Sequence, residues 1–214
     1  MKVIGLVGGI GGGKSTVAKI FASRDGVVAI DADRLGHDVL RLDEVKKQVR
    51  SLWGNLPFDE KGEIDRRKMA GIVFAGTAES DENLKKLTGI SHPKIAELLQ
   101  KQLENAKISG KWLVLIDAPL LFEGKWDRFC DEIIFVDAPE ELRIQRMLSR
   151  GWTPGEYRAR VANQCSLEEK KRAAKYVLQN DGTISQLEEK IEKLIREILL
   201  FTTKDTKNHE DDDV

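Results

Sequence analysis

Between Gly8 and Thr16 the chain reads GGIGGGKST, five glycines followed by a lysine and two hydroxyl side chains. Gly8, four intervening residues, Gly13, Lys14 and Ser15 satisfy the G-x-x-x-x-G-K-[ST] spacing of a phosphate-binding loop. Glycines let successive backbone N–H groups turn inward, and a helix that starts at the lysine adds the positive end of its dipole, so the pocket suits a polyanion. Gly11, Gly12 and Gly13 would supply amides and Lys14 would reach the outer phosphates. Ser15 is the hydroxyl expected on a magnesium ion, and Thr16 a second hydroxyl beside the phosphates.

Other residues can complete a transfer reaction. Asp31 and Asp33 lie in the run AIDADR, at the carboxyl edge of the second expected strand and on the same edge as the loop. A carboxylate there can take the proton of an attacking hydroxyl or hold a magnesium shell. A helix N-cap is the competing role, and the i, i+2 spacing on a strand end favours chemistry. Asp117 ends a third apolar strand like a Walker B carboxylate and is followed by Pro119, Leu120, Leu121 and Phe122, an apolar lip that suggests contact with a substrate. His92-Pro93 reads by itself as a turn before a helix. Arg143, Arg146, Arg150, Arg158 and Arg160 form a basic series. Such arginines are ordinarily solvated, but a closing arm must bring positive charge to a moving phosphoryl group, so at least one is expected on a phosphate.

These residues need a scaffold. Apolar runs at Val3–Val7, Val27–Asp31, Trp112–Asp117, Glu132–Val136 and Tyr176–Gln179 lack clear alternation, as strands buried on both faces of a parallel sheet do. Helix-length stretches separate them: Lys14–Ser23, Asp33–Leu52, several between Asp65 and Ala106, Pro139–Arg150 and Thr183–Leu200. Ile184, Leu187, Ile191, Leu194, Ile195 and Ile198 mark one apolar face of the last. Strand alternating with helix predicts a doubly wound α/β domain. The expected division is core 1–57, helical insert 58–107, core 108–148, mobile flap 149–174, core 175–203 and a disordered acidic tail 204–214.

The 214 residues carry a net charge of -1, which gives no global pull towards nucleic acid or anionic membrane. No apolar run reaches membrane-span length and no signal peptide is visible, so a cytoplasmic protein is expected. Cys130 and Cys165 fit no metal or redox spacing.

Taken in order, GGIGGGKST, IDADRLGHDV, GEIDRRKMAGIVF, ISHPKI, IDAPLLFE, RMLSR, RARVANQ and YVLQNDG resemble the dephospho-coenzyme A kinase family, and they cover the chain from Lys2 to about Leu200. The resemblance implies a P-loop fold similar to nucleoside monophosphate kinases: a five-stranded parallel core, a helical domain for the coenzyme A moiety and a lid. It implies ATP-dependent phosphorylation of the ribose 3′-hydroxyl of dephospho-CoA with Mg²⁺; a monomer without nucleic-acid or membrane partners is the accompanying expectation. It makes Lys14, Asp33 and Arg146 the catalytic candidates, Asp33 as base and Arg146 acting on ATP from the lid base. Asn180 would lie near the adenine, and His92, Leu120, Leu121 and Phe122 would line the acceptor site. The chain departs from the family's usual residues at Val7, Gly12, Arg143 and Lys175, where Thr, Ser, Gln and Asp are common.

The competing readings are a P-loop kinase of a nucleoside monophosphate or of a shikimate-like acceptor, a switch GTPase, and a nucleotide sensor without turnover. The GTPase would need an N-K-x-D guanine motif, which is absent from the sequence.

Overall fold

A computed structural model of the chain describes residues 1–162 and 164–207. Two compact units emerge, one built from residues 1–30 and 105 onward, the other from 31–104.

The first unit holds a parallel sheet of five strands, β1 (Lys2–Gly8), β2 (Val27–Asp31), β3 (Leu113–Asp117), β4 (Glu132–Asp137) and β5 (Tyr176–Gln179), in the order β2-β3-β1-β4-β5. The expected strands and the observed ones agree to within a residue at nearly every end. β1 is central: Leu6 stands opposite Asp117 of β3 and Ile134 of β4. Val3 to Gly8 are all buried, and this two-sided burial is why the strand is continuously apolar.

Alternate residues of β1 serve opposite faces. Ile4 and Leu6 share a core with Val17 and Phe21 of helix α1 (Lys14–Ala22) and with Leu187, Ile191 and Ile198 of helix α9 (Ile184–Lys207). Each such fully buried side chain stabilises the fold by roughly 1.5–3 kcal/mol. Ile184, the first residue of α9, is exposed, unlike the rest of the expected stripe. On the other face a Cβ on Gly5 would stand 2.7 Å from Leu121 Cδ2, so that chain takes the space a side chain would need. Helices α6 (Glu140–Leu148), α7 (Pro154–Ala162) and α8 (Leu167–Ala173) lie between β4 and β5 in the chain.

The second unit contains α2 (Ala32–Val39), α3 (Asp43–Trp53), α4 (Arg66–Val73) and most of α5 (Ala78–Ile108). It begins at Asp31 and not at residue 58. The reason is packing: Gly36 of α2 faces Ile95 of α5, and Lys94 of α5 pairs with Glu44 of α3 at 3.0 Å. The single helix expected over Asp33–Leu52 is two, with a turn at Leu40–Leu42.

Two further expectations need correction. His92-Pro93 marks no turn, because α5 runs unbroken through Pro93; proline removes one N–H from the ladder, which a long helix packed through Ile95 and Leu99 can absorb. The backbone of α9 also continues to Lys207, so 204–207 are helical where a disordered tail was expected; no glycine or proline stops the helix there. Residues 208–214 of that tail lie outside the described residues.

Candidate active site

The chain leaves β1 at Gly8 and enters α1 at Lys14. Gly13, the N-cap, has φ 90°, and a Cβ on it would collide with the side-chain amide of Asn180. Gly11 has φ 78°, and a Cβ there would stand 2.5 Å from the carbonyl oxygen of Arg143. Both positions therefore demand glycine twice over, by conformation and by space. No side chain caps α1 and no acidic residue occupies its first turn, so the helix presents an uncompensated positive end.

The loop's carbonyls are gripped from outside. Asn180 Nδ2 donates to the Gly12 carbonyl at 2.7 Å, and Arg146 Nη1 donates to the Gly11 carbonyl at 3.3 Å. Arg146 Nη2 in turn donates to the Asn180 carbonyl at 3.1 Å. A peptide whose oxygen is held outward turns its N–H the other way: the grip on the Gly12 carbonyl turns the Gly13 N–H inward, whereas the Gly12 N–H, on the peptide whose oxygen Arg146 holds, donates to the Gly9 carbonyl at 2.9 Å. Lys14 is buried with Nζ 3.4 Å from the Gly8 carbonyl, Ser15 is exposed and Thr16 half-buried, all on the first turn of α1. This arrangement can hold a polyphosphate and position a cation beside it.

The acidic candidates separate. Asp31 caps α2, accepting from the Arg34 N–H at 3.0 Å. Asp33 is exposed on the first helical turn, so the strand-face pairing of 31 with 33 does not exist: the backbone has already turned helical at Ala32, where i and i+2 diverge. Asp117 is buried at the end of β3, in register with Leu6 two residues before the loop. His92 is half-buried on α5. Asp33 and His92 belong to the second unit, and the loop, Arg146 and Asn180 to the first.

The expected lip is divided as well. Leu121 has 0% exposure and packs on Gly5 beneath the sheet, so it is a core residue; Leu120 and Phe122 are the half-buried pair. The turn closes on itself, with Gly124 N–H donating to the Leu120 carbonyl and Trp126 N–H to that of Leu121, both at 2.9 Å.

The family model for dephospho-CoA kinase matches residues 2–186. The chain belongs to the dephospho-CoA kinase family. It is 36% identical over 197 residues to the dephospho-CoA kinase of Lactobacillus johnsonii, covering 91% of this chain and 97% of that one. It is equally identical over 199 residues to that of Aquifex aeolicus, covering 92% and 98%. A solved structure from Thermus thermophilus superposes with a TM-score of 0.76 at 32% identity, covering 93% of this chain and 96% of that one. Dephospho-CoA kinase from Campylobacter jejuni gives 0.68 at 26%, covering 92% and 98%. As a family member the chain is a P-loop kinase, a transferase whose family reaction is ATP-dependent phosphorylation of dephospho-CoA. A nucleoside monophosphate or shikimate-like acceptor is not favoured.

In this kinase a second set of polar residues escaped the sequence reading. Lys170 of α8 is 1% exposed and donates to the Pro119 carbonyl at 3.1 Å and to Gln164 Oε1 at 3.0 Å; Glu123 Oε1 stands 4.0 Å away and accepts from the Cys165 N–H at 2.6 Å. Burial pushes the Lys170 ammonium below its ordinary pKa, against the opposing pull of Glu123. The cluster pins the turn after β3 to the segment ahead of α8. LEEKKRA looks like a solvated helix face, and nothing local marks Lys170 as its buried member. Tyr157 of α7, also buried, was missed for the same reason. Of the basic series, Arg150, Arg158 and Arg160 are exposed, Arg160 stacking on Trp152 at 4.3 Å, whereas Arg143 is buried and Arg146 half-buried.

Proposed function

We propose that the chain transfers the terminal phosphoryl group of ATP to the ribose 3′-hydroxyl of dephospho-CoA, with the phosphates seated against Gly11, Gly12 and Gly13 of the loop. The observation that carries this reading is the loop itself, glycine where a side chain would collide and gripped from behind by Arg146 and Asn180. Lys14 neutralises charge on the outer phosphates, and Thr16 offers a hydroxyl beside them. Arg146 supports the nucleotide from the base of a lid spanning 149–174, and Asn180 borders the adenine end. Asp33 orients the acceptor hydroxyl and accepts its proton; His92, Leu120 and Phe122 line the acceptor, with Leu121 holding their turn to the core. Since the transferring group is loosely bonded at the transition state, positioning and charge do most of the work and the base little.

The Ser15 hydroxyl and the Asp117 carboxylate are hard oxygen donors that fit Mg²⁺, which ordinarily takes only one or two protein ligands. Bound there, Mg²⁺ would supply charge neutralisation across the phosphates. No helix among the described residues is long and apolar enough to cross a membrane, and a cytoplasmic monomer is the setting we propose; light scattering at working concentration checks the second part.

ATP-Mg²⁺ offered in parallel with dephospho-CoA, AMP and shikimate tests the reading. Coupled ADP release should follow dephospho-CoA alone, and the product should carry its new phosphate at the ribose 3′ position; turnover with AMP or shikimate instead overturns it. Asp33→Asn should lower turnover while ATP affinity holds. Collapse of ATP binding would move Asp33 to the metal shell.

A further inference from the structure

Arg143 is out of character for a helix rich in charged residues. The residue is buried, 8% exposed, on α6. Nε donates to the Ala138 carbonyl and Nη1 to the Tyr157 hydroxyl, each at 3.1 Å. Both acceptors are neutral, and among the described residues no carboxylate pairs with it. A permanently charged group in such surroundings is disfavoured unless a counter-charge arrives.

Its location says where that charge arrives. A Cβ built on Gly9 would meet Arg143 Nη1 at 2.6 Å and Cζ at 3.1 Å, so the guanidinium takes the space beside the loop's backbone that a side chain would need. A Cβ built on Gly11 would stand 2.5 Å from the Arg143 carbonyl oxygen. Tyr157, 7% exposed, accepts from Nη1 and so helps to fix the guanidinium's position.

We propose that Arg143 is a supporting cation of the nucleotide site: it backs the phosphate loop from behind, Tyr157 positions it, and the ATP phosphates are its counter-charge. This deepens the reading that the loop holds those phosphates, and rests on it. The side chain acts through the loop by its field, without touching the nucleotide, in a setting where low polarisability makes a fixed charge effective at range. A buried cation awaiting its partner also predicts an unusual sign. Neutralising it should leave the nucleotide-free protein as stable or more so, yet weaken nucleotide binding.

The test measures melting midpoints of the full chain with and without ATP-Mg²⁺, together with ATP affinity by calorimetry, for Arg143→Gln, Arg143→Lys, Tyr157→Phe and Lys14→Ala. Expected for Arg143→Gln are an unchanged or higher midpoint without nucleotide, a smaller rise on adding ATP, and affinity weakened about tenfold. Arg143→Lys, which keeps the charge, should recover most of that affinity, and Tyr157→Phe should fall between. A lower nucleotide-free midpoint with wild-type affinity in Arg143→Gln, or failure of that variant to fold, overturns the proposal in favour of simple packing. Equal weakening by Gln and Lys overturns it because charge would not be the cause. Should Lys14→Ala keep the full ATP-induced rise, the loop reading fails and takes this one with it; should Lys14→Ala lose it while Arg143→Gln does not, only the role of Arg143 fails.

Discussion

Two loops leave the same edge of the sheet from neighbouring strands, one after β1 and one after β3, and they are built in opposite ways. The first presents backbone: its glycines clear the space, and Asn180 and Arg146 hold its carbonyls from outside. The second presents side chains on a backbone that satisfies itself, anchored downward by Leu121 under Gly5 and sideways by Lys170 on the Pro119 carbonyl. A loop that offers amides to a ligand must be braced by distant residues, since its own polar groups are committed. A loop that offers side chains can brace itself with one of them.

The largest effect should come from the first loop. Lys14→Ala is expected to lower turnover on the order of 10³-fold, because no other side chain in the loop carries charge to the phosphates. A steady-state assay showing near-normal turnover would remove Lys14 from the reaction. For the second loop the contrast lies between adjacent residues. Leu121→Ala should cost about 2–5 kcal/mol of stability, as loss of a fully buried leucine does, while Leu120→Ala should leave the melting midpoint near wild type and raise KM for the acceptor. Equal thermal losses in the two variants would mean that the turn has no substrate-facing half.

Asn180→Ala sharpens the bracing argument. Asn180 is buried, and its amide holds the Gly12 carbonyl from the opposite end of the sheet edge. Its removal should weaken ATP binding by roughly 1–3 kcal/mol through an unsatisfied carbonyl and a slackened loop. Calorimetry showing unchanged ATP affinity would leave Asn180 a fold residue only.

The same contrast explains what the sequence discloses. Strand positions were legible because a parallel strand buried on both faces is an apolar run with no alternation, and the loop because its chemistry depends on consecutive residues. Pairings such as Arg146 with Gly11 or Lys170 with Pro119 join residues far apart in the chain, and no local pattern carries them. Asp33 was placed on a strand face because AID reads as β to its end; the helix that begins one residue later is set by the Asp31 cap, which the same letters also permit. Pro93 was read as a break because an isolated proline usually is one, and only the packing of Ile95 and Leu99 overrides that preference.

The smallest effect should come from the sheet edge remote from both loops. Glu132, 12% exposed at its side chain, accepts from Lys2 Nζ at 2.8 Å and from Lys175 Nζ at 2.5 Å. Burial alone would raise its pKa, but the hydrogen bonds from Lys175 and Lys2 outweigh it and hold the carboxyl below its usual range near 4.5. A carboxylate depressed in the folded state contributes stability above its unfolded pKa and loses it as pH falls through the folded one. The wild-type melting midpoint should therefore decline from about pH 5 downward, and Glu132→Gln should flatten part of that decline while lowering the midpoint at neutral pH. Because Lys2 opens β1 and Lys175 precedes β5, at the strand ends opposite the loops, neither change should alter KM for ATP. A shift in KM with this variant would mean that the two ends of the sheet are coupled and that the loops are not braced by their immediate neighbours alone.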